Sequence, residues 1–157
     1  MSMDSGDFRQ ALGRFATGVC LVTVHDPELG ALATTVNSFS SVSLDPPLVL
    51  WSIQNASDHL AIYTGCAHFG ISILTADQAA LSGHYAERGG HNALPEHFVA
   101  GEAGEPKLID ALAHFCCATY AVHPGGDHQI IVGEVLSFEA IEAAPLVFYS
   151  GGYRSLS

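Results

Sequence analysis

Positive charge is nearly missing from this sequence. Its 157 residues contain five Lys and Arg against 16 Asp and Glu, a formal net charge of −11. A surface so acidic repels a phosphate backbone, so nucleic acid is not expected as a partner. A phosphate-bearing small ligand would have to be held by backbone N–H groups, by hydroxyls, or by one of Arg9, Arg14, Arg88, Lys107 and Arg154.

Long apolar runs are missing as well. No stretch approaches the roughly 20 residues that span a bilayer, and Met1 to Gly6 has neither the basic start nor the apolar core of a signal peptide. A soluble, cytoplasmic protein with no membrane partner is expected. The four cysteines, Cys20, Cys66, Cys116 and Cys117, form no C-x-x-C pair, which fits reduced, buried thiols. None of the nine histidines pairs with another at i, i+4, so no helical zinc site is expected. Neither G-x-G-x-x-G nor a P-loop occurs, so a nucleotide cofactor would have to bind outside a Rossmann or Walker frame.

With 48% hydrophobic residues the chain can bury a real core, and residues 1–157 read as a single domain. Asp7 is placed to cap a short helix carrying Phe8, Leu12, Phe15 and Ala16, closed by Gly18. Val19 to His25 and Ala31 to Val36 read as a hairpin around the turn Asp26 to Gly30. A hydroxyl-rich connector, Asn37 to Ser43, and the turn Asp45-Pro46-Pro47 precede a buried strand, Leu48 to Ile53. Ser57 can cap a helix running to Gly65. His68 to Leu74 alternates as a strand, and a second helix with Leu81 and Tyr85 follows the capping-box spacing of Thr75 and Gln78, ending at Gly89-Gly90. His91 to Pro106 is irregular. Ala113 to Val122, Gln129 to Phe138 and Leu146 to Tyr149 are β-rich, with Pro124 to Asp127 as the turn between the first two. Six or seven strands with short helices predict a mainly β fold, a closed or partly open antiparallel barrel.

Thr34 to Ser43 is the most unusual stretch, with six hydroxyls and one carboxamide among ten residues. It can be a loop held by side-chain-to-backbone bonds. It can also offer Asn37 and neighbouring N–H groups to the polar edge of a planar ligand, with hydroxyls solvating a polyol or phosphate. Asn55-Ala56-Ser57 can cap a helix or meet a phosphate, although Asp58 competes for the same positive helix end. Arg88 favours a helix C-terminus for dipole reasons alone, and Gly125-Gly126-Asp127-His128 is a turn by spacing.

These pieces fall in one familiar order. Thr35-Val36-Asn37-Ser38-Phe39-Ser40-Ser41-Val42-Ser43-Leu44-Asp45-Pro46-Pro47-Leu48-Val49-Leu50 resembles the signature of the flavin-reductase-like family, the reductase components of two-component flavin monooxygenases. Phe8 to Val19, Gly126-Asp127-His128 with Val132-Gly133-Glu134-Val135, and Pro145 to Tyr149 with Gly152-Tyr153-Arg154 resemble its other segments, in order from about Phe8 to Leu156. The resemblance implies an antiparallel split β-barrel of Greek-key type, a homodimer, FMN or FAD as flavin, NADH or NADPH as hydride donor, and a separate flavin-dependent monooxygenase that receives reduced flavin. It implies that Thr35, Asn37, Ser38 and Phe39 contact the isoalloxazine, with Val36, Ser40 and Ser41 in the same binding run. Ser52, Asn55, Ser57 and Arg88 would then follow the ribityl phosphate. His128 is implied as the catalytic-site residue, with Asp127 beside it and Tyr153 and Arg154 also flanking the nicotinamide. The sequence departs from the family at Val36, where alanine is common, and at Cys116, where many relatives carry glutamate. Scarce cations favour NADH over NADPH. A tight FMN-binding carrier without NAD(P)H turnover, and a flavin- or haem-binding relative without the nicotinamide site, are the alternatives to a reductase.

Overall fold

A computed structural model describes residues 3–87 and 91–156 of the chain. Seven strands form one antiparallel sheet: β1 (Cys20–Asp26), β2 (Gly30–Val36), β3 (Ser40–Leu44), β4 (Pro47–Gln54), β5 (His68–Ile73), β8 (Ala113–Gly125) and β9 (His128–Ala140). Their spatial order is β2-β1-β5-β8-β9-β4-β3. The two edge strands, β2 and β3, are consecutive in the chain and separated only by Asn37, Ser38 and Phe39. So short a connector reaches no more than about 15 Å. The sheet therefore curls until its edges nearly meet, leaving one split between β2 and the β3–β4 side.

The β1–β2 hairpin closes as its residues require. Asp26 Oδ2 accepts from the N–H groups of Glu28 (3.0 Å) and Leu29 (2.8 Å), and Gly30 takes a φ of 79° at the return. β1 is buried along Cys20 to Val24 because both of its faces are covered. Cys20, Val22 and Val24 face the barrel interior with Leu32, Trp51, Phe69, Ile71 and Ile131, while Leu21 faces a second core with Ala33, Leu74, Tyr85 and Leu146. Two helices, α2 (Leu60–Gly65) and α3 (Ala79–Ala86), supply an aromatic each: Tyr63 of α2 to the first core, Tyr85 of α3 to the second. Cys117 lies in the first core and Cys116 turns away from it, across a bulge between the two.

Several boundaries differ from the sequence reading. Asp4, not Asp7, caps the first helix, α1 (Ser5–Gly13), accepting from Gly6 N at 2.8 Å and Asp7 N at 3.1 Å. That helix ends well before Gly18 and buries none of its residues, so the Phe8, Leu12 and Phe15 stripe is exposed. The connector after β2 is three residues long because Ser40 to Leu44 pairs with β4 as β3. Ser57 precedes α2 without capping it, and the helix starts after His59. The irregular stretch after His91 contains a ribbon, β6 (Phe98–Ala100) and β7 (Pro106–Leu108). A C-terminal hairpin, β10 (Val147–Tyr149) with β11 (Gly152–Arg154), was not anticipated beyond its first strand. Among the described residues no helix is long and apolar enough to cross a membrane.

A buried polar chain ties the ribbon to the barrel. Ser72 Oγ meets His114 Nδ1 at 2.7 Å, and His114 Nε2 meets Glu105 Oε2 at 2.6 Å. The Glu105 carboxylate also accepts from Ala103 N at 3.0 Å and from the Cys116 thiol at 3.4 Å. Two glycines make the room. A Cβ on Gly70 would lie 2.6 Å from Thr23 Oγ1, 2.8 Å from His114 Cε1 and 2.9 Å from Glu105 Cγ, and one on Gly101 would overlap the Glu105 carboxylate. Burial pushes the Glu105 carboxyl up, but the hydrogen bonds from His114 and the Ala103 N–H outweigh it and hold the group below the usual carboxylate range. A carboxyl depressed in the folded state contributes stability that is present above its unfolded value, about pH 4.3, and is lost as pH falls through the folded value. Glu105→Ala should cost about 3 kcal/mol or more at pH 7, since it breaks a buried pair. The gap between variant and wild type in urea denaturation should shrink below about pH 4. An equal gap at pH 7 and pH 3 would exclude this role.

Candidate functional site

The ladder between β3 and β4 starts at the pair Ser40 and Leu50, whereas β4 runs on to Gln54. Past Leu50, the side of β4 turned away from β9 has no neighbouring strand among the described residues. The Ser38 hydroxyl fills that gap at Ser52, accepting from Ser52 N at 2.9 Å and donating to Ser52 O at 3.3 Å. One side chain thus pins the connector to β4 and satisfies both main-chain groups of Ser52.

Beside this clasp the split opens into a cleft of about 370 Å³, within the usual size of small-molecule sites. Thr34 to Ser38 form one wall, Trp51 to Gln54 of β4 the other, and Ala56 to Asp58 the floor of the β4–α2 loop; Ala86, His91 and His128 complete it. Val36, Trp51 and Ile53 bring apolar surface for a flat ligand. The Asn37 carboxamide and the Thr34 hydroxyl make no hydrogen bond among the described residues, so both can meet a ligand's polar edge. The indole N–H of Trp51, the sole tryptophan, is buried without a partner among the described residues.

The cleft gathers Thr35, Val36, Asn37, Ser38, Ser52, Ser57 and His128 from the candidates named by sequence. The others stand elsewhere. Phe39 leaves the cleft and stacks on Phe115, with centroids 5.8 Å apart and planes at 24°. Ser40 and Ser41 lie exposed on β3, and the Ser40 hydroxyl donates to Ser41 O at 3.0 Å. Asn55 is spent on the β8–β9 turn: its N–H donates to Asp127 O at 2.9 Å, its Nδ2 to Gly126 O at 3.1 Å, and its Oδ1 accepts from Gln129 Nε2 at 3.3 Å. Tyr153 and Arg154 lie on β11, outside the lining. Tyr153 does reach the cleft wall indirectly, its hydroxyl 2.6 Å from Ser82 Oγ, while Thr35 Oγ1 donates to Ser82 O at 2.7 Å. Arg88 lies outside the described residues.

Asp127 does not line the cleft but orients a residue that does. Its exposed carboxylate accepts from His128 Nδ1 at 2.7 Å, and this hydrogen bond holds the Asp127 carboxyl below the usual range. The bond puts the proton on Nδ1, which leaves Nε2 of a neutral ring as an acceptor. Gly126, with a φ of 70°, makes the tight turn that places this pair at the tip of the hairpin.

Sequence reasoning missed Gln54, Asp58 and His91 as lining groups. Asp58 counted only as a competitor for anions, and nothing in the local pattern around His91 signals a site. Its ring stands edge-on to His59, with centroids 5.3 Å apart. Partial burial and His59 push the His91 ring toward its neutral form, and Asp58 pulls the other way. Among the described residues no group of three or more His, Cys, Asp and Glu is placed to hold a metal ion. The site offers apolar walls, a hydrogen-bonding rim and an oriented histidine, which suits the binding and stacking of planar groups more than side-chain nucleophilic chemistry.

Comparison with known proteins adds to this geometry. A family model described as a flavin reductase like domain matches residues 12–157. The chain is 44% identical over 155 residues to an FMN reductase (NADH) of Agrobacterium fabrum, covering 98% of this chain and 87% of the relative. It is 40% identical over 152 residues to the reductase component of 4-hydroxyphenylacetate 3-monooxygenase of Thermus thermophilus, covering 95% of each. Its structure resembles the flavin reductase component of a bacterial two-component tryptophan halogenase, with a TM-score of 0.89, 37% identity and 98% coverage of both chains. It also resembles a Streptomyces globisporus NADH:FAD oxidoreductase in complex with NAD and FAD fragments, with a TM-score of 0.88, 32% identity and coverage of 100% and 97%.

Proposed function

Since the chain belongs to the flavin reductase like domain family, we propose that the cleft at its barrel split seats the flavin, FMN or FAD, and that NADH or NADPH approaches it past His128. The protein is an NAD(P)H-dependent flavin reductase that supplies reduced flavin to a separate monooxygenase component. The observation carrying the site assignment is that the motif Thr35 to Ser38 forms a wall of the cleft opposite β4. Size, apolar walls and the free Asn37 carboxamide fit a flavin ring with a polar edge.

The flavin, when bound, supplies the ring that accepts a hydride; the chain's residues bind and orient. Val36 and Ile53 offer the apolar faces, and Asn37 with main-chain groups of the connector meets the polar edge. Ser52 and Ser57 line the direction of the ribityl phosphate, while Asn55 serves that wall by holding the hairpin turn. His128, fixed by Asp127, presents Nε2 as an acceptor suited to the carboxamide of a nicotinamide. Tyr153 acts on the cleft through Ser82 and Thr35. No proton transfer by a side chain is needed for hydride transfer, so positioning dominates.

The exposed side chains Phe8, Leu12, Phe15, Leu44 and Phe138 support a homodimer, since so much apolar surface is rarely left in water. A cytoplasmic location accords with the free thiols. Light scattering at micromolar concentration should give twice the monomer mass; a monomer that binds flavin fully would remove the dimer from the proposal.

Anaerobic stopped-flow mixing with NADH and NADPH, against FMN and FAD, should show nicotinamide oxidation matched by flavin bleaching. Asn37→Ala should weaken flavin binding by about 1–3 kcal/mol, because it removes the partner of a buried polar edge. Quenching of Trp51 fluorescence measures this affinity, and an unchanged value would return the connector to a purely structural role. His128→Ala should lower kcat/KM for NADH by the equivalent of about 1–3 kcal/mol while flavin affinity is kept. Wild-type turnover would remove His128 from the site, and equal losses in both measurements would make it structural.

A further inference from the structure

Among the described lining residues of the cleft there is no Lys or Arg, and Asp58 is the one carboxylate. That sign is unexpected in a flavin site, since FMN and FAD both carry phosphate. The chain around it adds a formal net charge of −11.

The main chain beside Asp58 is fixed. Ser57 N donates to Gln54 O at 3.0 Å, His59 N to Ser57 Oγ at 3.3 Å and Leu60 N to Ser57 O at 3.3 Å, so the loop is held on both sides of the residue. The Asp58 side chain is exposed, and among the described residues its carboxylate makes no hydrogen bond or ion pair. A carboxylate just ahead of α2 can favour the positive end of that helix. Such a duty affects stability and leaves ligand choice alone.

No described lining residue cancels the charge with a permanent cation. Partial burial and His59 push the His91 ring toward its neutral form, and His128 is turned to the Asp127 carboxylate. The field inside the cleft is therefore negative. A space of about 370 Å³ keeps any charge within it inside roughly one Debye length of Asp58, about 8 Å at physiological salt.

We infer that Asp58 is a specificity-determining residue that lowers the affinity of the cleft for phosphorylated flavin, so that the flavin exchanges between turnovers. The inference rests on the reductase reading above, in which reduced flavin has to leave for a second protein. The apolar walls and Asn37 recognise the ring by contact, whereas Asp58 acts on the phosphate through space. Ring recognition and departure are thus set by different residues, and repulsion acts chiefly on the rate of departure.

Asp58→Asn removes the charge and keeps the shape, and Asp58→Lys reverses the charge; thermal unfolding confirms that each variant is folded. Kd is measured by Trp51 quenching for FMN and for riboflavin, which has the same ring and ribityl chain without the phosphate. The two salt conditions are about 0.01 M and about 1 M, where the Debye length is about 30 Å and about 3 Å. At low salt, Kd for FMN should fall about threefold or more in Asp58→Asn and further in Asp58→Lys, with riboflavin unmoved, and the differences should shrink at high salt. Dissociation of FMN, followed by stopped flow, should slow in the same order. Unchanged or weaker FMN binding at low salt would overturn the inference by leaving Asp58 to the helix, and equal shifts for both flavins would do so by making it a ring contact. If Asp58→Lys does not fold, Asp58→Asn decides alone. Wild-type protein that binds FMN but oxidises neither NADH nor NADPH would sink the reductase reading instead, and the ratio of the two flavin affinities would still judge Asp58. Wild-type protein that binds neither flavin would remove the cleft assignment and the inference with it.

Discussion

Three residues between the two edges of a seven-stranded sheet are the constraint on which the rest depends. A flat, twisted sheet would carry β2 and β3 far apart; the connector forbids it. The sheet must close around its core, and since, among the described strands, β2 pairs only with β1 and β3 only with β4, its two edges meet without a ladder between them and a gap stays open beside β4. What makes the gap usable is that its main-chain groups at Ser52 are answered by a side chain, Ser38, and not by another strand. The opening stays free of a competing ladder.

Each polar residue around the gap then has a separable duty. Ser38 builds the wall; Asn37, next to it, makes no hydrogen bond among the described residues. Asn55 holds the tip of the β8–β9 hairpin, and Asp127 at that tip sets the tautomer of His128. Asn55 and Asp127 thus hold the site without lining it, while Ser38 and Ser52 do both, which agrees with chemistry in which the cofactors react and the protein orients them. The apolar faces and the hydrogen-bonding rim come from different strands, so the cleft keeps its shape through the barrel core beneath Trp51 and Phe69.

Much of this was legible in the sequence. Strand alternation and turn residues located all seven barrel strands except β3, which was hidden because Ser40 to Leu44 is exposed and hydroxyl-rich and so reads as a loop. The short ribbon and β11 escaped notice because three-residue strands carry no periodicity. For the site, Thr35 to Ser38 and His128 line one cleft, while Phe39 stands outside its lining and stacks on Phe115. His91 was invisible because its place in the wall arises from long-range contact, its carbonyl accepting from Ala33 N at 2.8 Å.

The buried Glu105 and His114 pair occupies space that exists only because Gly70 and Gly101 lack side chains. In evolutionary terms these four positions form a linked set. A lineage that lost the carboxylate at 105 could admit a side chain at 101, where Glu105 supplies the three nearest atoms, but not at 70, where Thr23 and His114 still stand in the way. Once position 101 was filled, the carboxylate could not return by a single substitution. The route back would require the glycine first. Sequence drift here runs as a ratchet, so relatives should divide into those that carry Gly101 with an acidic 105 and those that have left both behind.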